Sequence, residues 1–278
     1  MENLFSGLEA FGLKNLSEMD IYDEKEKDAG DKSAEDDKPS FSEEDAIFDK
    51  SFVCPVCDKE FKSKMVKSGK VKLANLDSDL RPIYQFMDPL KYDAVVCPHC
   101  GFAALNRFFK YVTNAQATLI KTNISANFKG IKENNSVFTY DDAMIRHKLA
   151  LVNSIVKKAK TSERAYTCLK IAWLLRGKAE ALPKNTPDYQ KQLEEMEKEE
   201  RDFIEKAYIG FEEAFSKENF PMCGMDEVTM SLLMAELGRK TGKITESSRW
   251  ISKVLTSRNA NERIKQKARD IKALLREE

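Results

Sequence analysis

The chain is 278 residues long, with 46 Lys+Arg, 46 Asp+Glu and 2 His. That length allows one or two domains, and a formal charge of zero excludes a uniformly basic nucleic-acid coat. No apolar run reaches the roughly 18–20 residues of a membrane span, and Met1-Glu2-Asn3 opens no apolar secretion signal, so a cytoplasmic protein with reduced thiols and no membrane contact is expected.

In chain order, residues 1–17 form a short apolar segment carrying Leu4, Phe5, Leu8, Phe11, Leu13 and Leu16. Residues 18–45 follow as an acidic linker with 13 acidic and 4 basic residues. With so little to bury, this linker is expected to be disordered. It is either a solvated tether or an acidic strap over basic surface further on.

Residues 46–112 carry the chemistry. Cys54-Pro55-Val56-Cys57 and Cys97-Pro98-His99-Cys100 repeat one pattern. Two thiolates three positions apart chelate one ion from a tight turn, and two such turns complete a tetrahedron. Cys54, Cys57, Cys97 and Cys100 are therefore the expected metal ligands. Each Pro presets φ within its turn. Gly101 takes a positive φ without penalty, and Asp58, at the equivalent place, is among the residues that tolerate one. The stretch between the pairs exceeds the roughly 15–20 residues of a compact double-CxxC finger, so it must hold structure. Segments 60–66 and 70–74 read as a hairpin turning at Lys67-Ser68-Gly69, and 92–96 as a third strand. This layout is a zinc ribbon. A closed four-thiolate shell suits Zn2+, with iron as the rival ion because Cys-Pro-x-Cys-Gly also resembles a rubredoxin knuckle.

His99, held between two chelating cysteines, is expected to point outward. His147 lies in a helical stretch and reads as a surface or core histidine, Cys168 as a small core residue, and Cys223 as a free thiol in a loop. Six lysines, Lys59, Lys62, Lys64, Lys67, Lys70 and Lys72, suit either a phosphate backbone or the solvent face of an edge hairpin. Asp77, Asp79, Arg81, Tyr84 and Tyr92 read as a buried polar network fastening the hairpin to the second turn. Their alternative is a pocket for an anionic or peptide ligand.

From residue 113 to 278 the period becomes helical. Ile145, Leu149, Val152 and Val156 make one stripe, and Ala165, Cys168, Leu169, Ala172 and Leu175 another. A long run over 188–216 buries Ile204, Tyr208, Phe211 and Phe215, while its charged first half, 190–202, is expected to project into solvent. Over 226–255, Leu237, Gly242, Ile244, Glu246, Ser247 and Trp250 sit as in the turn of a tetratricopeptide (TPR) helix pair. A final helix with Ile264, Ala268, Ile271 and Leu275 on one side caps the array.

The opening Leu4-Phe5-Ser6-Gly7-Leu8-Glu9, the two cysteine turns, Asp77-Ser-Asp79-Leu-Arg81-Pro-Ile-Tyr84, Pro89-Leu-Lys-Tyr92 and Ala172-Trp-Leu-Leu-Arg176 together resemble a bacterial domain-of-unknown-function family. In that family a double-CxxC module precedes TPR-like helices. The resemblance implies an uncharacterised, non-secreted bacterial protein and brings no catalytic residues.

The expected fold is mostly α with a small β metal module: a zinc-ribbon-like N-terminal module and a TPR-like α-helical array. No phosphate loop, nucleophile elbow or paired His ligands point to an enzyme. The expected function is a non-enzymatic, zinc-stabilised scaffold whose helical domain binds a protein or peptide. The alternatives are a nucleic-acid-binding zinc ribbon and a rubredoxin-like iron electron carrier.

Overall fold

The computed structural model describes residues 42–131 and 135–277. The apolar segment 1–17 and the acidic linker up to residue 41 lie outside them. From there the chain is mostly helical, with three two-stranded antiparallel sheets.

Strand β1 (Ile47–Val53) pairs with β2 (Glu60–Val66), placing Phe52 opposite Phe61. This corrects the expected pairing of β2 with 70–74. Gly69 does not take the positive φ that tight hairpin turns require. Ser68–Lys70 is instead a 3-10 turn, and the Lys67 amide bonds back to the Ala46 carbonyl at 2.8 Å. The chain then makes a separate hairpin, β3 (Leu73–Leu76) with β4 (Pro82–Tyr84), so Lys59, Lys62 and Lys64 lie on the first hairpin, Lys67 and Lys70 in the connection, and Lys72 beside β3. The third expected strand is shorter. Pro89–Tyr92 is a 3-10 turn capped by Asp88, leaving β5 (Ala94–Val96) to pair with β6 (Ala103–Leu105).

Helix α1 (Asn114–Ile120) starts at a capping box between Thr113 and Gln116, and α2 (Tyr140–Val156) at one between Thr139 and Asp142. Each box satisfies two backbone N–H groups that the first turn leaves unpaired. Helices α3 (Thr161–Glu180), α4 (Tyr189–Lys217), α5 (Glu227–Lys240), α6 (Ile244–Thr256) and α7 (Glu262–Glu277) complete the body.

The main core lies between α3 and α4. The expected α3 stripe is buried throughout, and Ile204, Tyr208 and Phe211 of α4 are buried against it with Phe215 at the margin. Each such large apolar side chain contributes about 1.5–3 kcal/mol. The charged first half of α4 does not project into solvent. Met196 is buried, Leu193 packs on the core and Glu200 bonds Arg176, so this half lies along α3 as well.

The α2 stripe is also corrected: Ile145 is 54% and Val152 50% exposed. The buried face carries Ala143, Ala150, Arg146, His147, Asn153 and Ser154. That face packs on β5, β6 and α3. Its alanines let the backbones approach, and its Asn153 reaches a backbone carbonyl outside the helix, that of Gly101, while His147 and Ser154 bond carbonyls of α2 itself.

Between α5 and α6, Gly242 at φ +71° ends α5. Its amide bonds the Arg239 carbonyl and that of Lys243 the Gly238 carbonyl, the two hydrogen bonds of a Schellman cap. The close helix contact falls at Gly238, where an added Cβ would sit 3.2 Å from that of Ser247. Ser247 Oγ in turn donates to the Ala235 carbonyl at 2.6 Å.

Residues 77–81 tie the β3–β4 hairpin to the helices through charge. Arg176 reaches Asp79 Oδ2 at 2.6 Å, Asp77 Oδ2 at 3.0 Å and Glu200 Oε1 at 2.6 Å. Arg81 bonds Asp77 at 2.7 Å and Glu180 at 2.5 Å. Lys240 lies 3.4 Å from Asp79, and Ser78 Oγ donates to Glu236. Of the residues expected to form a network, Asp77, Asp79 and Arg81 do so while Tyr92 bonds Glu43 instead, and the network fastens the hairpin to α3, α4 and α5 rather than to the second cysteine turn. Burial alone would raise the Asp79 carboxyl, yet Arg176 and Lys240 outweigh it and hold it at about 2.

His147 is a core histidine. Its Nδ1 donates to the Ala143 carbonyl at 2.8 Å, and burial pushes the imidazole down to about 4, against the opposing charge of Asp93 and helped by Lys170 and Arg146.

Two stability predictions follow from these buried groups. Asp79→Ala removes the fully buried carboxylate between Arg176 and Lys240, leaving Arg176 only Asp77 and Glu200, and should cost about 3 kcal/mol in urea unfolding, whereas Asp49→Ala, whose carboxylate is exposed in its pair with Lys64, should cost no more than about 1 kcal/mol. For His147 the folded value lies below the ordinary 6.5, so the unfolded chain takes up the proton first. Its contribution is complete above about pH 6.5 and is lost toward about pH 4, by up to about 3 kcal/mol. Unfolding of His147→Gln and the parent at both ends of that window should show the mutant with the shallower decline.

Candidate metal centre

Each cysteine pair occupies the tip of a hairpin: Cys54 and Cys57 join β1 to β2, and Cys97 and Cys100 join β5 to β6. The two tips are built alike. In the first, the Asp58 amide bonds the Cys54 carbonyl at 2.9 Å and the Cys54 amide bonds the Lys59 carbonyl at 3.1 Å. In the second, Gly101 bonds Cys97 at 3.0 Å and Cys97 bonds Phe102 at 2.8 Å. Asp58 and Gly101 take φ of +59° and +73°, the left-handed turn their positions require.

The tips face each other and bring four sulfurs within 4.8 Å of one another. Cys54 and Cys100 Sγ are 3.6 Å apart, and Cys57 and Cys97 Sγ 3.7 Å. A tetrahedral ion with metal–sulfur bonds of about 2.3 Å sets its ligands about 3.8 Å apart, so the four fit one metal ion. The thiol protons are unevenly shared. Contact with Cys100, then Cys54, pulls the Cys97 thiol well below its usual range, while contact with Cys100, then Cys97, pushes that of Cys54 far above it. A bound cation removes this conflict by stabilising all four thiolates.

Beneath the sulfurs lies an aromatic core. Phe52 stacks on Phe61 with centroids 5.7 Å apart, and Phe109 packs edge-on against both and tilted on Phe102 at 5.0 Å. The second tip is anchored to the helices. Asn153 of α2 donates to the Gly101 carbonyl at 3.0 Å, and Phe128 covers Gly101 so closely that an added Cβ would stand 2.6 Å from its ring. Asn153 and Phe128 carry no signal in the sequence, because nothing near them marks a partner about 50 or 30 residues earlier.

His99 points outward as expected, its Nε2 3.3 Å from the Glu60 carbonyl. Cys168 is buried in the main core, where burial pushes its thiol up to about 11. Cys223 is a free thiol whose Sγ donates to the Ser162 carbonyl, and burial pushes it up to about 12. Tyr92 is buried and donates to Glu43 at 2.6 Å, while Tyr84 lines cavities on both sides of β4.

Residues 47–275, which span both hairpin tips and the helices, match the family model described as an uncharacterised protein conserved in bacteria, DUF2225. The chain belongs to this family. No curated protein and no solved structure matches it. The DUF2225 match begins at the first residue of β1, so it includes both strands of each cysteine hairpin. Among the described residues of this DUF2225 chain, no helix is long and apolar enough to cross a membrane.

The two tips should respond differently to substitution. Gly101→Ala forces a Cβ into a left-handed position and against Phe128, and should weaken metal retention against a competing chelator by about tenfold or more. Asp58→Gly relieves strain and should change stability by no more than about 0.5 kcal/mol.

Proposed function

We propose that the four cysteines hold a structural zinc ion and that the protein is a non-enzymatic scaffold of the bacterial cytoplasm, acting through the surfaces this centre keeps in place. The observation that carries the reading is the closed sulfur set: four thiolates fill a tetrahedral shell, whereas catalytic zinc keeps a position for water or substrate. Both tips continue directly into packed strands, and Gly101 is bonded to α2, which suits a staple better than a reactive centre.

The partner in this reading is a protein or peptide met by the helical body. Support comes from α2, where Ile145, Val152 and Ile155 are all half-exposed or more and Leu149 and Val156 adjoin them. An apolar patch on a helix suits the apolar face of an amphipathic segment. The α5–α6 pair, with Gly238 seated on Ser247 and a Gly242 cap, is read as one TPR-like unit.

Metal analysis of anaerobically purified protein tests the centre. One zinc per chain is expected, and chelation should unfold the cysteine hairpins, since structural zinc contributes on the order of 10 kcal/mol. Iron with a visible absorption band would replace this reading with an electron carrier, and metal-free alkylatable thiols would remove the centre. A photocrosslinker at Val152 should capture a protein in cells and lose it in Ile145→Asp; no adduct would end the scaffold reading.

A further inference from the structure

The 46 cations and 46 carboxylates of the chain are unevenly placed. Residues 46–278 hold 41 Lys+Arg against 31 Asp+Glu, and residues 239–278 hold 12 of those cations against 5 of those carboxylates. Seven of the ten excess positive charges of the body thus fall in its last 40 residues, outside the cysteine hairpins altogether. In α7 this excess becomes a pattern. Ile264, Ala268, Ile271 and Leu275 pack into the core shared with α5 and α6, and each is followed directly by a cation: Lys265, Arg269, Lys272 and Arg276. Positions i, i+4, i+7 and i+11 share one side of a helix, so the four cations form a stripe about 16 Å long beside the buried face. Arg269, Lys272 and Arg276 are exposed and Lys265 is half-buried.

Little within the helix compensates this stripe. Glu262, 74% exposed, bonds Arg269 at 2.6 Å and acts on Lys265, while Asp270 bonds Gln266. Lys272 and Arg276 have no ion-pair partner among the described residues. A terminal helix needs a polar outer face for solubility, but not one of a single sign. Like charges at i, i+4 cost a helix about 0.2–0.5 kcal/mol per pair, and Lys265 in the first turn opposes the helix dipole that favours Arg276 in the last. Cations about 5–6 Å apart along a straight helix suit a ligand whose own charges repeat, and the sugar–phosphate backbone is such a ligand. Two other partners fit less well. An amphipathic helix holds a membrane by inserting its apolar face, and that of α7 is buried in the core. A protein interface depends on aromatic and apolar anchors, and the stripe carries none.

We propose that the stripe of Lys265, Arg269, Lys272 and Arg276 on α7 binds the phosphate backbone of nucleic acid without regard to base sequence. The surface uses neither the cysteine centre nor the α2 patch and does not rest on the scaffold reading, so either can fail alone.

Fluorescence anisotropy of the full chain, purified with its metal, tests it with a labelled short DNA duplex, a duplex of scrambled sequence and an RNA single strand of the same length. The two duplexes should bind alike, and affinity should fall about 100-fold as salt rises from about 50 to 200 mM, the loss expected when four phosphates are neutralised. The tighter of duplex and strand names the form bound. Lys272→Gln combined with Arg276→Gln, both at exposed positions, should leave the melting temperature unchanged, weaken binding about tenfold or more and lower the salt slope by about 2. Lys272→Arg, which keeps the charge, should bind as the parent does, and Lys62→Gln combined with Lys64→Gln on the cysteine hairpin should leave affinity and slope unchanged. Unchanged affinity in the folded α7 variant, loss in the hairpin variant instead, a salt-independent complex, strong preference for one sequence, or binding to phosphatidylserine vesicles in place of nucleic acid would overturn the proposal.

Discussion

Four sulfur atoms within 4.8 Å of one another set the relation between two hairpins that the chain makes some 40 residues apart. Neither hairpin has a sheet to join: β1–β2 and β5–β6 are separate two-stranded ribbons, and an isolated two-stranded hairpin is marginal in water. Their strands gain stability by sharing the core of Phe52, Phe61, Phe102 and Phe109, and that core closes only if the tips converge. Convergence of four thiolates is costly without a cation to neutralise them. The cysteine cluster and the aromatic core therefore form one packed unit.

A second constraint carries the effect outward. Asn153 bonds the Gly101 carbonyl, so the second tip is bonded to α2, whose buried face is polar. The segment between the tips is in turn held by charge, through Arg81 and Arg176 on a line of carboxylates from β3–β4 and α3 to α4. Buried ion pairs add little net stability over well-packed apolar residues, yet breaking one partner is severe. Such a network specifies one docking geometry for residues 77–81 more than it strengthens it.

The cysteine chemistry was legible because it is local: ligand spacing, the prolines and the left-handed positions at Asp58 and Gly101 lie within five residues of one another. Strands β1 and β6 were not legible. In β1 the inward residues are Ile47 and Phe52, five apart and so out of phase with a period of two. In β6, Ala103, Ala104 and Leu105 are all buried, which gives no alternation. The third miss, the stripe on α2, has a different origin. Ile145 and Val152 make a regular apolar face, but β5, β6 and α3 select the face with alanines and backbone-bonding side chains. The first half of α4 read as solvent-borne because its charges were counted without the Arg176 that meets Glu200.

Taken alone, the amino-acid order determined a four-cysteine cluster able to hold a metal ion, a small β module followed by helices, and the α3 and α4 core faces, because turn chemistry and 3.6-residue periodicity act over short distances. Tertiary structure decided which strands pair, which side of α2 is buried, and that Asp77, Asp79 and Arg81 bind the helices rather than a ligand. Strand pairing turns on neighbours that carry no alternation, and the ties of residues 77–81 on partners as far as 158 residues away, whose geometry arises only when burial and charge compensation are satisfied together.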